Sequence, residues 1–306
     1  MINDILLSKN GLATKTIAKE FIKINLGDKV PTVSEFCELF SFPRGTVQKA
    51  IKTLQECEAI RLESKGHLGS YLIRKNMKIL LEVSDIDSIV GSMPLPYSKR
   101  YEGLASGLIV ALENAYNIPI SMAYMRGAEA RISMVVCQRY DFAVVSALAA
   151  DHFMRKYGEI DIILSLGEYS YVSNHVIMFH DKNAKEIVDG MKVGIDQQSL
   201  DQKTMTMKIC KGIKVSYVQL EYTQIIAKIL NGEIDAAVMN VDEVKDKNID
   251  INYVTLDCYE KQDTEAVLVG LKRRKELFVL LREIIDVNTV INIQNLVMDG
   301  KITPSY

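Results

Sequence analysis

The polar side chains with the clearest chemistry lie close together in the run Pro43-Arg44-Gly45-Thr46-Val47-Gln48-Lys49-Ala50-Ile51. Wound as a helix, this run puts Val47, Ala50, Ile51 and Leu54 on one side. Arg44, Thr46, Gln48, Lys49 and Lys52 then face outward. An exposed Arg suits guanine O6 and N7, and an exposed Gln suits adenine N6 and N7. Lysines beside them suit phosphates, which position a protein on a duplex without reading it. A second basic cluster, Lys65-Gly66-His67, stands further on in a glycine turn. These seven positions, Arg44, Thr46, Gln48, Lys49, Lys65, Gly66 and His67, are the candidate contacts to double-stranded DNA.

A second set of polar residues is spread over the rest of the chain. Ser92, Arg126, Ser146, Gln198 and Ser199 each follow an apolar run. Hydroxyls and free backbone amides near helix starts suit a carboxylate or phosphate, and Arg126 would add a fixed charge. The expectation is a small anionic metabolite. The plain alternative stays open: Ser199 as a helix cap and Arg126 as a surface ion-pair partner.

Other chemistry has less support. His175 and His180 are five apart on a strand and its end, so they face opposite ways and make a poor metal pair. His152 has no Cys or carboxylate at ligand spacing. Nucleophile-elbow, P-loop and dinucleotide-binding motifs are absent. Met122, Met125, Met205 and Met207 read as core or cleft wall. No cofactor and no metal are expected, and no enzyme activity.

The elements that must hold these residues are legible in order. Thr14 caps a helix through Ile17, Ala18, Phe21, Ile22 and Ile24. Thr32-Val33-Ser34-Glu35 is a capping box that opens a short helix with Val33, Phe36, Cys37 and Phe40 inward. Pro43 fits the first turn of the next helix. Two alternating runs, Ile60 to Ser64 and Ser70 to Ile73, flank the glycine turn as a β-hairpin. Three short helices and a hairpin make a winged helix-turn-helix over residues 1–76.

This head resembles the GntR family of bacterial regulators. The segments that carry the likeness are Val30 to Glu35, Pro43 to Ile51 and Ile60 to Leu72, in order and at the expected spacing. The resemblance implies that Arg44 and Thr46 touch DNA, and that the wing glycines Gly66 and Gly69 do too. This chain departs from that pattern at Phe36, where the family often has a DNA-contacting Arg, and at Gly45 and Gln48.

From Met77 the pattern becomes α/β. Ile79 to Val83 reads as a buried strand, followed by a loop from Gly91 to Pro96. Helical periodicity covers Tyr101 to Tyr116, a strand Ile118 to Tyr124, a helix Ala128 to Arg139, and a strand Asp141 to Val145. Lys192 to Ile195, Lys214 to Val218 and Ala236 to Val238 are further strands, separated by helices Ser199 to Cys210 and Tyr222 to Leu230. Alternation of this kind implies parallel sheet. The phrase Gly232-Glu233-Ile234-Asp235-Ala236-Ala237 closes one unit, and Arg139 to Val145 repeats the device earlier. Two such lobes resemble the type II periplasmic-binding-protein fold. The expected division is lobe I over about 77–167 and 241–306 and lobe II over about 168–240. A GntR-like head on such a body resembles the YhfZ family of regulators, along the whole chain.

Composition agrees. The chain has 306 residues, 48% hydrophobic and 25% charged, as in soluble globular proteins. Residues 1–76 hold 12 Lys and Arg against 8 Asp and Glu, a surplus of +4; the remainder, with 25 basic and 31 acidic residues, carries −6. A basic head on an acidic body suits a head that meets phosphate. Five scattered cysteines (Cys37, Cys57, Cys137, Cys210, Cys258) argue for a reducing compartment and against disulfides or zinc. The first residues lack a signal-peptide pattern, and no stretch is long and apolar enough to span a bilayer. The expectation is therefore a cytoplasmic, effector-controlled regulator that binds DNA as a homodimer. Two other readings stay open: a winged helix that contacts only proteins, and a two-lobed catalyst. The dimer interface is not fixed, with Leu277 to Ile285 and the tail 286–306 as candidates.

Overall fold

The computed structural model describes residues 8–113, 116, 118–256 and 264–306. Ala115 in the expected Tyr101–Tyr116 helix, the first residues and Cys258 lie outside the described residues. The described residues divide into two compact units: 8–89, 113, 116, 118–119 and 274–284, and 90–112, 120–256, 264–273 and 285–306.

The first unit opens with α1 (Lys9–Lys23), capped by the side chain of Ser8. The expected cap, Thr14, lies inside this helix, where its hydroxyl donates to the Asn10 carbonyl. Helix α2 (Val33–Phe40) starts on the Thr32–Glu35 capping box, with both reciprocal bonds formed. Of the four residues expected inward, only Phe36 is fully buried, 6.1 Å from the Phe21 ring. Buried among core rings, Phe36 occupies the position where an Arg would reach DNA in the resembling family. Helix α3 (Arg44–Glu56) buries Val47, Ala50 and Leu54, on the face its period predicts. Strands β1 (Ile60–Ser64) and β2 (Ser70–Lys75) pair antiparallel across a short turn of 3-10 helix, Gly66–Leu68.

The run Ile79 to Val83 is not a strand. It belongs to α4 (Met77–Val83), capped by Asn76 and burying Met77, Leu80 and Leu81. A continuous apolar run has no period of its own, so it cannot distinguish a buried strand from a helix. Here the Asn cap and the 77/80/81 spacing decide, and α4 packs on α1. The unit is completed by α11 (Lys275–Ile284), which also packs on α1 and buries Leu277, Leu280 and Leu281. This unit therefore extends past residue 76 and draws on a segment near the far end of the chain.

The second unit holds two five-stranded sheets. The first has the order β4-β3-β5-β12-β6, built from β3 (Ile89–Met93), β4 (Ile120–Tyr124), β5 (Phe142–Ser146), β6 (Ile160–Ser165) and β12 (Ala266–Leu271). Gly91, Ser92 and Met93, expected in a loop, are in β3. Gly91 lies beneath the Phe142 ring, where a Cβ would come within 2.2 Å of Cζ. Helices α5 (Lys99–Glu113), α6 (Ala128–Val136), α7 (Ala147–Tyr157) and α12 (Val287–Met298) belong to the same lobe. Gly103 and Gly107 of α5 lie against the α12 backbone.

The second sheet has the order β11-β7-β10-β8-β9, from β7 (His175–Phe179), β8 (Lys192–Ile195), β9 (Ser216–Gln219), β10 (Ala236–Asn240) and β11 (Asn252–Thr255). Helices α8 (Leu200–Ile209), α9 (Tyr222–Leu230) and α10 (Val241–Asp246) accompany it. Both its faces are covered. Val176, Met178, Ala237 and Met239 pack with the α9 isoleucines, while Ile177, Phe179, Ala236 and Val238 pack with Met205 and Cys210. That two-residue alternation is why β7 and β10 read as unbroken apolar runs.

Two expectations about this body need correction. The sheets are mixed, not all parallel: β12 runs antiparallel to β5 and β6, and β7 antiparallel to β10 and β11. β7 and β12 are the strands at which the chain enters one sheet from the other, so each arrives from the opposite end. The second sheet also continues beyond the expected 168–240, because β11 pairs along the outer edge of β7. The expected strand Lys214–Val218 forms later, as the edge strand β9.

Candidate functional site

In the first unit, α3 presents the expected residues as a group. Arg44 is its first residue and is exposed, as are Gln48 and Lys49; Thr46 is half-buried. Lys52 is exposed and 3.5 Å from Glu56, a pair of little worth in water. In the wing, Lys65 is exposed, with its Nζ 4.5 Å from the centre of the Tyr71 ring. Gly66 takes φ +59° and Gly69 φ +98°, conformations that open the turn and hold His67 in solvent.

In the second unit, a cavity of about 100 Å³ opens between the two sheets. That is far more than the roughly 15 Å³ needed for one water. Its walls come from both lobes: Pro94, Leu95 and Tyr97 after β3, the start of α6, the start of α8, and the ends of β7 and β10. Strand ends that face helix starts are where open α/β sheets place ligands.

Of the five residues proposed from sequence, Arg126 and Ser199 line this cavity. Arg126 joins the lobes, with Nη2 2.9 Å from Asp196 and Nη1 2.8 Å from Glu221. Burial opposes its charge, but the Asp196 hydrogen bond and the two carboxylate charges outweigh that and raise its pKa. Its charge is thus already matched by protein. Ser199 precedes α8 without spending its hydroxyl on a cap. Ser146 caps α7 and donates to Asp201 at 2.9 Å, so it ties the lobes together from outside the cavity wall. Ser92 is fully buried in β3 with no hydroxyl partner among the described residues. Gln198 is exposed; its amide donates to Asp196 and its backbone passes Gly127. Neither Ser92 nor Gln198 lines the cavity.

The sequence reading passed over the residue best placed for an anion. Arg131, on α6, is 2% exposed and lines the cavity. Its Nε donates to the Val144 carbonyl (3.1 Å), Nη1 to the Met125 carbonyl (2.8 Å) and Nη2 to the Tyr171 hydroxyl (3.2 Å). None of these partners is a carboxylate. A signal existed: Arg131 falls between Ala128, Ile132 and Val135 on the apolar face of α6, a core position where a charge needs a reason.

Four tyrosines, Tyr97, Tyr101, Tyr171 and Tyr222, add aromatic wall. Burial raises the pKa of each, so all stay protonated at neutral pH. The Tyr97 hydroxyl and His175 Nε2 are buried without a partner among the described residues. Burial holds the His175 pKa down at about 4, against the pull of Asp242, so its ring is neutral. His180 is exposed and bonds the Ile229 carbonyl, so the two histidines do not meet as a metal pair. Among the described residues no cluster of three or more His, Cys, Asp or Glu could hold a metal ion. No described helix is long and apolar enough to cross a membrane.

Comparison with known proteins agrees with this architecture. A family described as the YhfZ C-terminal domain matches residues 76–306. The chain belongs to the YhfZ family. A helix-turn-helix domain model matches residues 25–72, the stretch from the end of α1 to β2. The uncharacterized protein YhfZ of Escherichia coli K12 is 34% identical over 303 residues, 98% of each chain. The crystal structure of YhfZ from Shigella flexneri aligns with a TM-score of 0.63 at 35% identity, over 75% of this chain and 97% of that one. The periplasmic aliphatic sulphonate binding protein SsuA of E. coli aligns with a TM-score of 0.52 at 14% identity, over 70% of this chain and 74% of its own. At that identity the likeness shows the fold: this YhfZ family member joins a helix-turn-helix to a periplasmic-binding-protein-like body.

Proposed function

We propose that this chain is a transcriptional regulator that binds duplex DNA through its winged helix and senses a small metabolite in the interlobe cavity. The observation that carries this reading is the exposed face of α3, where Arg44, Gln48 and Lys49 stand together with the basic wing turn in the same unit. Base-reading and phosphate-binding groups on one recognition helix are what major-groove docking requires. The likeness to GntR regulators supports the same roles for Arg44, Thr46 and Gly66. In this reading the winged helix within residues 1–76 binds DNA, α4 and α11 complete its unit, the two-lobed body senses the metabolite, the protein works in the cytoplasm as a homodimer, and it turns nothing over.

The cavity supports the sensing half. Its lobes are joined by Arg126–Asp196, Ser146–Asp201 and Arg100–Asp242 contacts. A ligand that binds one arrangement of the lobes better than another shifts the balance between them. The chain leaves the second unit after Arg273, forms α11 within the first, and returns at Ile285, which gives such a shift a covalent route to the head.

Selection of the full-length protein against a random duplex pool tests the assignment. The expected result is an enriched inverted repeat whose half-sites are about 10 base pairs, or a multiple, apart. Arg44→Ala should abolish the enrichment. A pool that returns no sequence over background refutes the reading. Native mass spectrometry of the purified protein then reports what occupies the cavity.

A further inference from the structure

We propose that the interlobe cavity is built for a compact zwitterion, its anionic end on Arg131 and its cationic end toward the Asp201 carboxylate and the tyrosine faces. This rests on the small-molecule reading above and narrows its chemistry.

The anionic end follows from the guanidinium. Arg has five N–H donors in a fixed fork. Arg131 gives three to neutral oxygens, which leaves two without a partner among the described residues. A guanidinium that is 2% exposed, beside a cavity and not matched by a carboxylate, is a prepared receptor for one. Arg126 does not compete for that role, because Asp196 and Glu221 already hold it.

The cationic end follows from the balance of charge. The cavity wall carries three carboxylates, of which Asp196 is held by Arg126 and Glu243 by Lys247, while Asp201 takes a hydrogen bond from the neutral Ser146 hydroxyl. A plain anion would set its charge among these carboxylates, whereas a zwitterion brings its own countercharge. The tyrosine faces of the wall attract an ammonium group by the same electrostatics. Two further groups point to a ligand with both donors and acceptors. The His175 Nε2 and the Tyr97 hydroxyl are buried and unpartnered, and such groups are rarely left so unless something polar meets them. The cavity has room for a molecule of amino-acid dimensions.

The test uses the full-length protein and calorimetric titration. The probes are the common L-amino acids, their D-enantiomers, β-alanine and γ-aminobutyrate, with inorganic phosphate, sulfate and acetate alongside. At least one amino acid should bind saturably. Its N-acetyl derivative and its amide, each lacking one charge, should bind about tenfold more weakly or worse. Arg131→Lys and Asp201→Asn should each weaken the parent by a similar factor. The blocked ligands keep the test decisive even where a variant fails to fold. The proposal is overturned if no zwitterion binds, if the N-acetyl derivative matches its parent, or if phosphate or sulfate binds in place of the amino acids. Binding of a plain anion would still leave a metabolite sensor. DNA affinity that ignores a bound amino acid would remove the sensor and keep the zwitterion site.

Discussion

Neutralising DNA phosphates releases counterions, so the number of cations in contact can be read from the salt dependence of binding. The surface of α3 and the wing turn offers four exposed cations: Arg44, Lys49, Lys52 and Lys65. Each phosphate contact contributes about 0.9 to the slope of log affinity against log salt, so one head gives a slope of about −3.6. Raising salt from about 50 to 200 mM should then weaken binding about 150-fold. Two heads acting together would give a slope near −7, which makes the same measurement a test of the dimer. Lys49→Ala should lower the slope by about 0.9 per head and weaken all sequences alike, because a phosphate contact carries no sequence information. Fluorescence anisotropy on a labelled non-specific duplex, over a salt series, measures this directly. A slope near zero would refute the reasoning. So would a slope that neither Lys49→Ala nor Lys65→Ala changes, since the binding face would then lie elsewhere.

Three other perturbations bear on the scaffold. Gly107→Ala places a Cβ 2.5 Å from the Val290 carbonyl oxygen, a backbone atom that cannot swing away; the overpacking should cost about 1–3 kcal/mol and outweigh the roughly 1 kcal/mol helix gain of Gly→Ala. Urea denaturation checks this, and a variant more stable than the parent would show that α5 and α12 do not touch at this point. Thr32→Ala removes the α2 cap and should cost about 1 kcal/mol, seen as a lower midpoint, with no loss if the box is not formed in solution. His175 has a native pKa near 4, below its ordinary value of 6.5. The unfolded chain therefore takes up the proton first, so the stability His175 confers is intact above pH 6.5 and lost as pH falls toward 4. At pH 5 that loss is about 2 kcal/mol; His175→Gln should make the fall from pH 7 to 5 shallower by that amount, and parallel curves would sink the prediction.

What could be read from the sequence was what is settled locally. Thr32 and Glu35 are three apart and cap one helix between them, so no distant residue is needed to interpret them. The outward face of α3 follows from the spacing of Val47, Ala50 and Leu54. The strands β5 and β10 are marked by the Asp-led apolar phrases that open them. Readings failed where a partner distant in sequence decides. Ile79 to Val83 is apolar throughout, and only its packing on α1 fixes it as helix. β11 is a strand because it lies along β7, some seventy residues earlier. Ser146 and Gln198, which lie outside the cavity wall, stand out in sequence by their positions at strand ends, but the contacts they make depend on the opposite lobe. Arg131 was legible in principle, as a charge at a core position of α6, and it lines the cavity.

The placement of α11 has a practical consequence. Severing the chain at residue 76 to isolate the reading head would discard α4 and leave α11 behind, and with them the buried leucines Leu80, Leu81, Leu277, Leu280 and Leu281 that pack in its unit. The face of α1 they cover would meet water. A chimera that grafts this head onto another sensor must carry both helices along. The head is therefore not a detachable cassette, and exchange between relatives is expected to succeed only when front and rear segments travel together.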